Sequence, residues 1–191
     1  MLTLYEFNHQ KDHFSWVGGS LWVAQSFEPQ ISHQITLVKL WLFKPVGWDP
    51  KDGTLNIYAA DVNGKPTGVP LATGIIHAAD LEITVINPVE VSLGSGTPLT
   101  AGQSYVLVIV FPDTIPSQDY PLMVRYWYSV NSAQVIGKMM ISEDSGATWT
   151  IYDALDWTFE EWGEPVPQKL QRLGDIHIDQ LIYQHAERME V

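Results

Sequence analysis

ITLVKLWLF (residues 35–43), PVGWDPKDG (45–53) and TLNIYA (54–59) follow one another in the chain, and their reading decides the fold. Two short apolar runs rich in β-branched residues are separated by a segment of proline, glycine and aspartate that continues neither. In the second run the two-residue period sends Leu55 and Ile57 toward a core and Thr54 and Asn56 away from it. The same rhythm recurs from about residue 20 to about residue 160, with almost no helical periodicity. The expectation is an all-β fold, an antiparallel β-sandwich of jelly-roll type.

Working outward, DVNGKPTG (61–68) holds Asn63-Gly64, a dipeptide that accepts positive φ in a tight reversal, with Pro66 expected to end the pairing. EITVINPVEVSL (82–93) reads as a strand or two interrupted at Asn87-Pro88, and TPLTAGQ (97–103) as a loop. SYVLVIVF (104–111) is apolar on both faces and should be the central, doubly covered strand. LMVRYWYSV (122–130) is a further strand whose Tyr126, Trp127 and Tyr128 alternate between faces. Residues 138–142 and 148–152 flank a tight connection, and DWTFEEWG (156–163) makes a final strand with Trp157 and Phe159 on one side.

The texture then changes. EPVP (164–167) reads as a stiff linker. Beyond it, Ile178, Leu181, Ile182, His185 and Met189 fall at i, i+3, i+4, i+7 and i+11, an apolar stripe on a short C-terminal helix that its own domain or a partner must cover. The chain therefore divides into an N-terminal arm (1–19), a sandwich (20–163) and a linker with a helical extension (164–191).

Composition narrows the function classes. With 191 residues, 46% apolar and 17% charged, the chain is globular and long enough to bury a core. A net charge of -12, with 10 scattered basic residues, argues against nucleic acid and against an anionic membrane surface. There is no cysteine, so thiolate nucleophiles, disulfides and zinc-thiolate sites are excluded. No stretch approaches the roughly 18 apolar residues of a membrane helix, and the N-terminal MLTLYEFNHQKDHF has charges where a signal peptide needs an apolar run.

The most specific local signal is Ser142, Asp144, Gly146, Thr148 and Trp149, which match the Asp-box pattern Ser-x-Asp-x-Gly-x-Thr-Trp at every defined position. Carboxylate and hydroxyl can accept from backbone donors in the turn, glycine supplies the demanding dihedral, and tryptophan packs under the hairpin. Asp-boxes occur in sialidases, but those resemble multi-bladed arrays with several boxes. One box on this length of chain favours a folding device.

On a larger scale, Ala24-Gln25-Ser26-Phe27, the strand Ile35 to Leu42, Tyr58-Ala59-Ala60-Asp61 with Asn63-Gly64-Lys65-Pro66-Thr67-Gly68, and Pro98-Leu99-Thr100-Ala101-Gly102 leading into Tyr105-Val106-Leu107 follow one another in a telling order. With the Asp-box and Trp157-Thr158-Phe159, this order resembles the choice-of-anchor R modules, β-sandwiches of galactose-binding-like appearance, over residues 20–163. The resemblance implies a noncatalytic module of large bacterial surface proteins and phage structural proteins, with no shared catalytic set. The expected setting is a tailed-phage virion (capsid decoration, fibre or tail), with other virion proteins or copies of itself as partners.

The remaining candidates are of three kinds. His9 and His13 have the spacing of helical metal ligands without an evident third, and a solvated terminus is the expectation. Asp153, Asp156, Glu160 and Glu161 suggest an acid/base pair only by their number. Asp49, Asp52 and Asp61, with Asn63, offer oxygens to calcium, but turn chemistry explains them as well. Among the aromatics, Trp41, Trp149 and Trp157 are expected in the core, while Trp48, Tyr126 and Tyr128 are the candidates for stacking on a cell-surface or polymer glycan.

Overall fold

The computed structural model describes residues 1–8, 13–44, 46–47, 49–83, 87–112, 122–128 and 137–166; for His13 and for residues 122–128 it is the backbone that is described. In chain order the strands are β1 (Thr3–Asn8), β2 (His13–Val17), β3 (Trp22–Phe27), β4 (His33–Phe43), β5 (Gly53–Ala60), β6 (Pro66–Ile76), β7 (Asn87–Leu99), β8 (Tyr105–Val110), β9 (Leu122–Tyr128), β10 (Met139–Ser142), β11 (Thr150–Tyr152), β12 (Leu155–Trp157) and β13 (Phe159–Pro165). They form two sheets. The first runs β1-β13-β4-β9-β12, with β2 added on β9 and β7 on β4; the second runs β11-β10-β3-β8-β5-β6. Every pairing between these strands is antiparallel, so the fold is an all-β sandwich.

The core between the sheets is built by the two-residue period. β4 gives Ile35, Val38, Leu40 and Leu42, β5 gives Leu55 and Ile57, and Trp157, Phe159 and Phe27 fill the space between them. β8 is buried on both faces. Tyr105, Leu107 and Ile109 enter this core, whereas Val106 and Val108 join Ala24 and Met140 in a second cluster on the outer face of the second sheet.

Several local expectations change in the structure. The residues read as an arm, 1–19, supply two strands of the first sheet: β1 pairs with β13 and β2 with β9. A bulge between Leu4 and Glu6 breaks the alternation of β1 and hides its period. Pro66 opens β6 opposite Ala60 instead of ending the pairing, because the first residue of an edge strand can spare its N–H. The turn before it closes through Asp61, whose carboxylate accepts the N–H of Asn63 and of Lys65 at 2.8 Å each, with Gly64 at φ 82°.

Thr97 to Leu99 belong to β7, not to a loop, and pair with Ile35, Gln34 and His33. The ladder resumes there because Gly96, at φ 73°, lies so close to β4 that a Cβ would run into the Ile35 carbonyl oxygen. The single strand expected over 156–163 is two strands that change partner at Thr158, from β9 to β4 and β1. Glu164 and Pro165 stay in the ladder opposite Gln34 and His33, so the extended segment read as a linker begins inside the sheet. Ile178, Leu181, Ile182, His185 and Met189 lie outside the described residues.

Candidate functional site

The outer face of the second sheet is where apolar and aromatic side chains collect in partial exposure. The alternation that sends Val23, Leu107 and Leu55 inward turns Trp22, Ala24, Val106, Val108 and Tyr58 outward. Trp22, Tyr58, Trp149 and Ile151 are half-buried around the floor made by Ala24, Val106, Val108 and Met140. They leave a half-open cleft of about 160 Å³ lined by Trp22, Tyr58 and Trp149, with Val108 beneath and Pro66, Gly68 and Gly146 at its rim.

The turn between β10 and β11 fixes one wall. The Ser142 hydroxyl donates to Asp144 Oδ1 (2.8 Å) and accepts the Gly146 N–H (2.7 Å), while Asp144 accepts from the Thr148 N–H (2.8 Å) and the Thr148 hydroxyl (2.6 Å). Donation by Thr148, side chain first and backbone next, with the Ser142 hydroxyl, pulls the Asp144 carboxyl down to about 2. Ser145, at φ 58°, donates its N–H to the Ser20 carbonyl at 2.9 Å, which ties the turn to the approach of β3. Gly146 (φ 86°) rests on the Trp22 ring, where an added Cβ would stand 2.7 Å from the nearest ring carbon. Trp22 in turn donates its indole N–H to the Gly19 carbonyl at 3.2 Å. Burial raises the pKa of Tyr58, so its phenol stays neutral as donor and acceptor.

The aromatics therefore sort differently from the expectation. Trp157 is fully buried, but Trp41 and Trp149 are half-buried: Trp41 alternates with core-facing Leu40 and Leu42 on the outer side of β4, and Trp149 covers the outer cluster. Trp48 lies outside the described residues. Tyr126 and Tyr128 sit in β9 opposite Trp157 and Leu155 by backbone register, their side chains outside the description. Trp22 and Tyr58 were not singled out by sequence. The signal for Tyr58 was present, since it continues the outward set Thr54 and Asn56 in TLNIYA.

The four carboxylates near the C-terminal strands occupy four different surroundings. Asp153 pairs with Lys138 at 2.8 Å on the surface, and Glu160 accepts the Trp162 indole N–H at 2.8 Å. Asp156 is buried against the Gln25 amide, whose oxygen accepts the Trp157 N–H at 2.9 Å, and Glu161 is buried against His33. Glu160 and Glu161 are neighbours on a strand and point to opposite faces. The loop carboxylates are also engaged: Asp49 with Lys44, Asp52 with His77 and the Ala78 N–H, Asp61 in its own turn. Among the described residues no group of three or more histidine or carboxylate side chains is placed to hold a metal ion, and His13 lies in β2.

Together these features define a β-sandwich with an aromatic cleft on one outer face. No family model and no curated protein matches the chain. Among solved structures, the fold is similar to the clostridial cysteine protease Cwp84 after propeptide cleavage, with a TM-score of 0.56 and 11% identity over 86% of this chain and 40% of that one. It is likewise similar to the structure of the cysteine protease and lectin-like domains of Cwp84, a surface layer associated protein of Clostridium difficile, with a TM-score of 0.53 and 11% identity over 86% of this chain and 36% of that one. The chain thus spans well under half the length of the proteins it matches, and having no cysteine it carries no thiol nucleophile.

Proposed function

We propose that this protein is a noncatalytic adhesive module whose outer-face cleft binds glycan. The observation that carries the reading is the cleft itself, in which Trp22, Tyr58 and Trp149 surround an apolar floor and are held by a hairpin whose polar groups are consumed in its own turn. A sugar ring has an apolar face of C–H bonds edged by hydroxyls. Aromatic rings receive that face, and a neutral phenol at the margin exchanges hydrogen bonds with the edge. The lectin-like domain named in one structural neighbour supports the same assignment. So does the resemblance to noncatalytic surface modules.

The test is retention in affinity electrophoresis or on a glycan array. Tyr58→Ala and Trp149→Ala are each expected to weaken binding about twofold to tenfold, at about 0.5–1.5 kcal/mol per stacked ring. Silence of the intact protein across a broad array overturns the reading.

A virion setting, as a decoration, fibre or tail-associated subunit, is the second part of this reading. It is motivated by the sequence stripe of Ile178, Leu181, Ile182, His185 and Met189, which needs cover from its own domain or from a partner, here other virion proteins or a second copy. Removing residues 168–191 is expected to abolish incorporation into particles. Normal decoration by the shortened protein overturns it.

A further inference from the structure

The cleft on the outer face of the second sheet has two walls of different make. On one side stand Trp22 and Trp149, with Gly146 close to both rings. On the other are Tyr58, Pro66 and Gly68. β6 leaves the ladder on this second side: between Thr67, opposite Ala59, and Ala72, opposite Ile57, residues 68–71 have no partner in β5. Gly68, at φ 75°, borders open space, since a Cβ there would meet nothing within 4 Å. This wall therefore presents a phenol and main chain that lies outside the ladder.

Among the described residues, none that lines the cleft is charged. The charged groups in the turns on either side do not make up for this with a cation. Asp61 is held below the ordinary carboxylate range by the Lys65 N–H first, and Asp144 by the Thr148 hydroxyl first, so both are anionic at neutral pH. Lys65, next to Pro66, has Asp61 as its electrostatic partner.

We propose, resting on the glycan reading of this cleft, that it admits one neutral pyranose ring and rejects sugars carrying a carboxylate or sulfate. Size gives the first half: about 160 Å³ is well below the roughly 300–1,000 Å³ that encloses a drug-sized ligand, and it leaves room for a single ring. Charge gives the second. A sugar hydroxyl both donates and accepts, and the Tyr58 phenol and the main chain of the second wall answer it in either sense. A carboxylate only accepts, and it gives up strong hydration on entering aromatic walls that hold no cation. The net charge of -12 adds repulsion at longer range.

The test uses the methyl glycosides of glucose, galactose and N-acetylglucosamine, each with C6 as the alcohol, the carboxylate or the carboxamide. They are titrated into the intact protein at neutral pH and followed by tryptophan fluorescence and proton NMR. A neutral glycoside is expected to saturate with a millimolar dissociation constant, and its carboxylate to bind about tenfold more weakly or worse. The carboxamide, which keeps the shape without the charge, is expected within about threefold of the alcohol. Val69→Arg, on a side chain 77% exposed beside Gly68, supplies the missing cation. It is expected to narrow the gap between alcohol and carboxylate about threefold to tenfold while the alcohol binds as before.

A carboxylate that binds as tightly as its alcohol overturns the proposal. So does a carboxamide as weak as the carboxylate, which would make shape the cause, and so does saturation by longer oligosaccharides when every methyl glycoside is silent. In each of these outcomes the protein still binds sugar. Silence across the glycan array removes the glycan reading itself, so the two failures are separately visible.

Discussion

His33→Ala is expected to destabilise the fold by about 3–5 kcal/mol, because it strands a carboxylate inside the sandwich. His33 Nε2 and Glu161 Oε1 are 2.5 Å apart, and both side chains are fully buried. His33 Nδ1 lies 2.7 Å from the Ile31 carbonyl oxygen, an acceptor only, so that nitrogen carries a hydrogen. Tyr5, the residue extruded at the bulge of β1, stacks on the imidazole at 3.7 Å and 6° and closes the pair from water. The second carboxylate oxygen of Glu161 has no hydrogen-bond partner among the described residues. Alanine at 33 removes the donor to the first oxygen as well. Glu161→Gln, which keeps the shape and removes the charge, is expected to cost less than His33→Ala in denaturant unfolding. The reverse order shows that the charge is not what matters.

The same pair sets a pH dependence. Burial is the largest influence on His33 and by itself lowers its pKa, but the hydrogen bonds to Glu161 and to the Ile31 carbonyl outweigh it, and the net shift is upward. Burial also raises Glu161, against the opposing bond from His33. Both groups therefore hold protons to higher pH when folded than when unfolded. Their contribution is complete below the unfolded values, 4.5 for Glu161 and 6.5 for His33, and is lost as pH rises past them through the folded values.

Asp144 acts in the opposite sense. Its folded pKa of about 2 is below the ordinary 3.8, so its contribution is present above 3.8 and lost as pH falls toward 2. Melting temperatures measured across pH are expected to peak between these windows. Glu161→Gln should flatten the alkaline side alone, and Asp144→Asn the acid side alone.

How far the sequence carried these features depends on what each residue answers to. Strands whose pattern is set by burial on one face, such as Leu55 and Ile57 in β5, or on both, as in β8, were legible because the hydrophobic period is the physical cause of their placement. The turns at Asn63-Gly64 and from Ser142 to Trp149 were legible because their side chains bond within four residues. Partner exchange was not legible. Trp157 and Phe159 share the core side across Thr158, and only the register with β9 or with β4 shows that the strand is broken between them.

The cleft was half legible for the same reason. Trp149 was named for its place in a turn, and Trp22 and Tyr58 became its neighbours only when β3, β8 and β5 were laid side by side. Asp156 and Glu161 looked like neighbours in one acidic cluster, yet one bonds Gln25 from β3 and the other His33 from β4, more than a hundred residues away in each case. A two-residue period states which face a side chain takes. It is silent about which strand lies opposite.

Trp157→Ala is expected to cost about 3–5 kcal/mol, a large part of the roughly 5–15 kcal/mol that holds a domain of this size. Among the described residues Trp157 is the largest fully buried side chain, and it stands where the last two strands part, so truncation to alanine leaves a cavity of indole size beside the strand switch. Its backbone N–H donates to the Gln25 oxygen at 2.9 Å, a bond that any replacement but proline preserves, so the loss measures packing. The indole Nε1 is buried with no partner among the described residues, and a donor in that state costs about 1–3 kcal/mol. Trp157→Phe removes it together with part of the ring, and these two changes oppose each other. Phenylalanine is therefore expected to recover most of the stability lost with alanine, in denaturant titrations with an unchanged slope. Equal losses for the two variants would show that the indole N–H has a partner and that its bond, not the volume of the ring, sets the cost.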